Sequence, residues 1–128
     1  ELPPMFRSAW CRASLLHAPK KVCVVGSGNW ASAIAKIIAG NTARQAEFQK
    51  DVSMWMFEEM VEHQGSRQKL SEVFNSTKEN IKYLPGIQLP PHVYAEPDLV
   101  KATQAADILV WALPHQFVPR TLQAISPK

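Results

Sequence analysis

A short apolar run, Lys21-Val22-Cys23-Val24-Val25, breaks at once into Gly26-Ser27-Gly28 and then into a helical apolar pattern from Asn29 onward. Few local patterns constrain a chain more. A strand that ends in two glycines one residue apart and turns straight into a helix is how a dinucleotide-binding βαβ unit begins, and each part has a physical task. Gly26 lets the chain turn sharply out of the strand. Gly28, lacking a Cβ, lets backbone approach a pyrophosphate. The helix that follows turns its unpaired N–H groups and the positive end of its dipole toward that phosphate. Ala31 stands where the commonest fingerprint has a third glycine; the position serves close helix–strand packing and admits alanine. The alternative is an ordinary strand–turn–helix that holds no ligand.

The chain alternates further strands and helices after this unit. A helix is expected over Asn29–Ala39, with Trp30, Ile34, Ile37 and Ile38 gathered on one face and Gly40-Asn41 as its stop. Thr42–Lys50 reads as a helical excursion. Val52–Phe57 alternates Val52, Met54 and Met56 with Ser53 and Trp55, as a half-buried strand does; those methionines read as core packing. Glu58 and Glu59 close that strand, where a carboxylate can accept from adenosine ribose hydroxyls and repel a 2′-phosphate; a solvated acidic turn is the alternative. Glu59–Gly65 reads as a loop and Ser66–Asn75 as a helix capped by Ser66. The proline-bearing stretch Tyr83–Pro91 reads as an extended linker, His92–Ala95 as a short third strand, and Pro97–Ala105 as a helix with Asp98 in its first turn. Asp107–Leu113 is a continuous apolar strand, Pro114 ends it, and Phe117–Ile125 opens another helix.

This alternation predicts an α/β fold, a doubly wound parallel sheet of Rossmann type, incomplete at its carboxyl end, with four strands in spatial order 3-2-1-4. The ligand crevice then lies outside the carboxyl ends of strands one and four. Gly26–Ala31 and Pro114–Phe117 meet there.

Composition narrows the function. At 128 residues, 46% of them hydrophobic, the chain suits one domain with a modest core. A net charge of +3 with no basic block or basic–aromatic alternation argues against nucleic-acid binding. No apolar run approaches the roughly 20 residues of a membrane-spanning helix. Two cysteines without C-x-x-C spacing support neither a zinc site nor a redox motif; Cys23 reads as a small buried hydrophobe, and reduced thiols in an intracellular compartment follow. Residues 1–19 carry Pro3, Pro4 and Pro19 without a clear period and read as a disordered extension; Met5–Leu16, bearing Arg and Ser and free of acids, has the look of a transit peptide. Residues 20–128 form the domain.

Four segments in order, Val25–Lys36, Met54–Glu59, Glu79-Asn80-Ile81-Lys82-Tyr83-Leu84-Pro85-Gly86 and Pro114-His115-Gln116-Phe117, closely resemble eukaryotic NAD-dependent glycerol-3-phosphate dehydrogenase, and the resemblance runs from about Lys20 to Lys128. It implies that the backbone of Gly26, Ser27, Gly28, Asn29, Trp30 and Ala31 holds the NAD pyrophosphate, that Phe57 packs against the adenosine end, and that Phe117 lines the cleft deeper in. Core roles are the alternative for both phenylalanines. His115 is implied to be a wall residue without a part in hydride transfer.

The resemblance further implies a cytoplasmic enzyme, homodimeric at full length. Its reaction interconverts glycerol 3-phosphate and dihydroxyacetone phosphate by hydride transfer. The sequence departs from the family in having Ala31 for glycine, a longer loop around Val61–Arg67, and a foreign head up to Pro19. The family's catalytic lysines fall beyond Lys128, so no catalytic residue and no metal ligand is assigned here. A non-catalytic nucleotide-binding or interaction module is the rival reading.

Overall fold

The computed structural model describes residues 18–126. Most of the 1–19 extension, with Cys11, lies outside the described residues. β1 (Lys20–Val25) is nearly all Val and Cys in its inner half and is buried there on both faces. A strand buried so completely must sit at the centre of a sheet covered by helices. β1 indeed pairs in parallel with β2 (Phe48–Trp55) on one side and with β6 (Ile108–Trp111) on the other; β5 (Val93–Glu96) adds in parallel to β2. The order β5-β2-β1-β6 is the expected 3-2-1-4 arrangement, and the winding reverses at β1.

Helices cover both faces. On one, α1 (Asn29–Thr42) and α2 (Leu70–Thr77) enclose Val24, Val52, Met54, Met56, Val93 and Phe74. On the other, α3 (Leu99–Thr103) covers Cys23 and Val25 together with Trp55, Leu109 and Trp111. Burial raises the Cys23 thiol pKa above its ordinary value, the state of an inert core thiol. A 3₁₀ turn, His115–Phe117, leads into α4 (Val118–Ile125).

Several local expectations give way. α1 runs through Gly40 and Asn41 to Thr42, and residues 43–47 turn rather than continue as helix, so β2 begins at Phe48. Its inward face consists of Ala31, Ser32, Ala35, Ala39 and Thr42, while Trp30 and Ile37 are 72% and 61% exposed. The helix is apolar nearly all round, so periodicity names no unique face. Close approach to the sheet selects the smallest side chains. The stretch expected as a loop and as the capped start of a helix is a hairpin, β3 (Met60–His63) and β4 (Ser66–Lys69), turned at Gln64-Gly65 with φ of +50° and +78°; the expected helix holds only from Leu70 onward, without a Ser66 cap. That hairpin occupies the stretch around Val61–Arg67.

The 78–91 stretch is not extended either. It folds back through a Glu79–Gln88 bridge and a turn at Gly86, and it buries Asn80 and Leu89 completely or nearly so. The outer edge of β5 is closed by side chains from α2 and the residue that caps it. The Asn75 amide pairs with both the N–H (2.8 Å) and the C=O (2.9 Å) of Ala95, and Lys78 Nζ donates to the Val93 carbonyl at 2.9 Å. Such cover blunts an edge that would otherwise recruit another strand.

Candidate functional site

The site grows from the turn between β1 and α1. Gly26 has φ of +140°, and a Cβ there would lie 2.4 Å from the Ala112 carbonyl oxygen at the end of β6. Glycine is therefore required by the fold at this point, where the carboxyl ends of β1 and β6 adjoin. Gly28 differs. Its φ of −73° suits any residue, and a Cβ built on it meets nothing within 4 Å. No contact inside the described fold asks for a glycine at 28; open space lies in front of it.

Gly28 is also the N-cap of α1, so no side chain caps this helix, and its first turn holds no acidic residue. Two of the other helix starts are supplied internally, those of α3 and α2. The Asp98 carboxylate accepts from Lys101 N–H at 3.0 Å at the head of α3, and the Glu58 carboxylate accepts from the Ser71 N–H (3.2 Å) and hydroxyl (2.5 Å) at the head of α2. The leading N–H groups of α1, without intrahelical partners by construction of the helix, face the crevice beside β6. Donors, dipole and clearance converge on a place that suits an anion.

The remaining sequence candidates fall around this turn. Ala31 is wholly buried against the strand side, 3.4 Å from where a Gly26 Cβ would stand, so its methyl group packs into the core and not into the crevice. Ser27 Oγ accepts from the Phe57 N–H at 3.2 Å, which joins the glycine turn to the end of β2. Phe57 is 63% exposed and meets Trp55 edge to face at 6.5 Å; Phe117, in the turn after β6, is 52% exposed. Neither phenylalanine is a core residue. Two exposed aromatic rings on the segments that flank the crevice are available to stack or pack against a flat ligand. Asn29, Trp30 and His115 are exposed at the same end of the sheet.

Glu58 and Glu59 do not stand free. Glu58 caps α2. Glu59 accepts from Lys82 Nζ and from the Tyr83 hydroxyl, each at 2.7 Å. Discrimination against a 2′-phosphate is therefore not assigned to these carboxylates, because the chain folds α2 and the 78–91 loop directly onto the end of β2. Desolvation pushes the Glu59 carboxyl upward, but the hydrogen bonds from Lys82 and Tyr83 and the Lys82 charge outweigh it and hold the pKa below the ordinary value. The bond to Glu59 raises Lys82, and the same bond together with burial raises Tyr83.

A depressed carboxyl stabilises the fold above the usual carboxylate range and loses that contribution as pH falls through its folded pKa. A raised ammonium or phenol stabilises below its unfolded value and loses that contribution as pH rises through its folded one. The cluster should thus support the fold across neutral pH and weaken at both extremes. Glu59→Gln should flatten the acid side of a plot of urea midpoint against pH. The effect should be small and shrink in high salt, since the pair is partly exposed; an unchanged acid limb would remove Glu59 from the account.

Against this geometry stand the comparisons. The family model described as "NAD-dependent glycerol-3-phosphate dehydrogenase N-terminus" matches residues 21–128. The chain belongs to that family. It is 55% identical over 101 residues to the human cytoplasmic NAD(+) glycerol-3-phosphate dehydrogenase and 58% identical over 99 residues to the bovine one. These alignments take in 79% and 77% of this chain but 28% and 27% of the relatives, so the chain spans less than a third of their length. The solved structure of glycerol-3-phosphate dehydrogenase from Saccharomyces cerevisiae superposes with a TM-score of 0.77 at 46% identity, covering 84% of this chain and 30% of that one. Asn80 stands in one of the four resembling segments but carries no site role on sequence grounds; it is a buried amide bonded to the glycine turn, and no local pattern signals a contact with residues so distant in the chain.

Proposed function

We propose that this chain is the NAD-binding segment of a glycerol-3-phosphate dehydrogenase. The backbone of Gly26–Ala31 and the head of α1 hold the pyrophosphate, Phe57 flanks the adenosine end, and Phe117 lines the cleft toward the nicotinamide. One observation carries the reading: Gly28 is a glycine for which the fold has no use, at an uncapped helix start that faces open space. The nicotinamide supplies or accepts the hydride exchanged with carbon 2 of glycerol 3-phosphate or dihydroxyacetone phosphate. This chain's residues bind and orient it. The human relative's name carries the word cytoplasmic, and we extend that location to this protein, together with a homodimeric whole enzyme. Among the described residues no helix is long and apolar enough to cross a membrane. Residues 1–19 are assigned to an extension outside the domain and 20–128 to the nucleotide-binding part.

Titration with NADH, followed by calorimetry, tests the reading. Saturable one-to-one binding is expected; absence of binding by a folded chain would overturn it. A 128-residue chain should bind without turning over dihydroxyacetone phosphate, because rate enhancement also needs the second reactant held near the hydride and a donor at the developing alkoxide. Lys82 is engaged with Glu59 and Tyr83 and is not available as that donor. Substrate-dependent oxidation of NADH by this chain alone would show that catalytic groups lie within it.

A further inference from the structure

Asn80 lies 53 positions from Ser27 in sequence and is wholly buried, yet its side-chain amide is committed to the glycine turn. Nδ2 donates to the Ser27 carbonyl and to Ser32 Oγ, both at 2.9 Å, and Oδ1 accepts from the Tyr83 N–H at 3.2 Å. The Ser27 carbonyl can only accept, so chemistry puts the amide nitrogen on that side. Ser32 Oγ in turn donates to the Gly28 carbonyl at 2.9 Å, an oxygen that also accepts from the Ser32 N–H at 3.0 Å.

The peptide plane gives this network its consequence. In a trans peptide the C=O and the following N–H point in opposite directions. Turning the Ser27 carbonyl inward to Asn80 therefore turns the Gly28 N–H outward, toward the crevice. Drawing the Gly28 carbonyl inward through Ser32 does the same for the Asn29 N–H. A peptide beside glycine rotates at little steric cost, so without an anchor the 27–28 unit has more than one accessible orientation. Asn80 removes that freedom, and it also leaves the Ser32 hydroxyl proton with the Gly28 carbonyl as its acceptor.

We propose that Asn80 is a positioning residue of the dinucleotide site, holding the 27–28 peptide with its N–H presented to the pyrophosphate and acting through Ser32 on the next one. The proposal rests on the assignment of Gly26–Ala31 as the pyrophosphate loop. It touches no ligand itself; its contribution is preorganisation, which fixes donors before the ligand arrives.

The test uses the intact protein and NADH. Asn80→Ala should weaken NADH binding by about tenfold or more at a temperature where it remains folded, since small displacements of positioned donors cost large factors. Hydrogen exchange of the ligand-free 26–31 backbone should rise at the same time. Ser32→Ala, which keeps a good helix former, should weaken binding by a smaller factor, and the two effects should fall short of multiplying, because both act through one network. Asn75→Ala removes another structural amide, at the β5 edge, and should leave NADH affinity at the wild-type value; this separates positioning from general loss of stability. Should Asn80→Ala fail to fold, Ser32→Ala decides. Wild-type affinity in the folded variants, with unchanged exchange of the loop, overturns the proposal while leaving the pyrophosphate loop in place. A folded wild type that does not bind NADH overturns the loop assignment and this proposal with it.

Discussion

Gly28→Val should abolish NADH binding and leave the fold standing. Valine fits the backbone there, at φ −73° and ψ −174°, in the extended region that β-branched residues favour. A Cβ at 28 meets no atom of the chain within 4 Å. The branched methyls instead fill the space in front of the α1 N–H groups, where the pyrophosphate oxygens must come. An affinity loss of about 100-fold or more is expected, equivalent to roughly 3 kcal/mol of lost contact. The urea midpoint should stay within the scatter of ordinary surface substitutions. Normal binding by the folded variant would show that the open space in front of Gly28 is not the phosphate's. Ala31→Gly is the complementary case: it should keep or tighten binding while costing about 1 kcal/mol of helix stability.

Gly26→Ala should do the reverse and damage the fold itself. The added Cβ would stand 2.4 Å from the Ala112 carbonyl oxygen and 2.9 Å from its carbon, both backbone atoms that no rotamer change can move. The φ of +140° is strained for any L side chain as well. Strain and overpacking together should cost roughly 3–5 kcal/mol, a large share of the 5–15 kcal/mol that holds a typical domain. The expected sign is a sharply lowered urea midpoint with β6 detached from β1, seen as early hydrogen exchange of 108–112. A variant of near wild-type stability would mean that the end of β6 does not press on the glycine turn. Two glycines one residue apart thus predict opposite phenotypes, one in binding and one in folding.

The strand–glycine–helix unit was legible because its signals are local. Val22–Val25 must be buried, Gly26 must turn, and the apolar periodicity that follows must be helical; none of these depends on distant residues. The strand order followed as well, since parallel strands joined by helices admit few windings. The hairpin Met60–Lys69 was not legible. Its strands are short, mostly polar and half exposed, so neither a period of two nor a core face announces them.

By its own local chemistry, then, the sequence determined the fold class and the strand order, and its four motifs carried the likeness to the family. What faces what was left to the tertiary structure. Trp30 and Ile37 look outward because the sheet can approach α1 only over alanines. Glu58 and Glu59 are engaged because α2 and the 78–91 loop fold onto the end of β2. Asn80 reaches the glycine turn because the chain between them forms α1, β2, the β3–β4 hairpin and α2 and then comes back to Ser27 and Ser32. Contacts across such separations arise from packing and backbone hydrogen bonding acting together, and no window of neighbouring residues contains them.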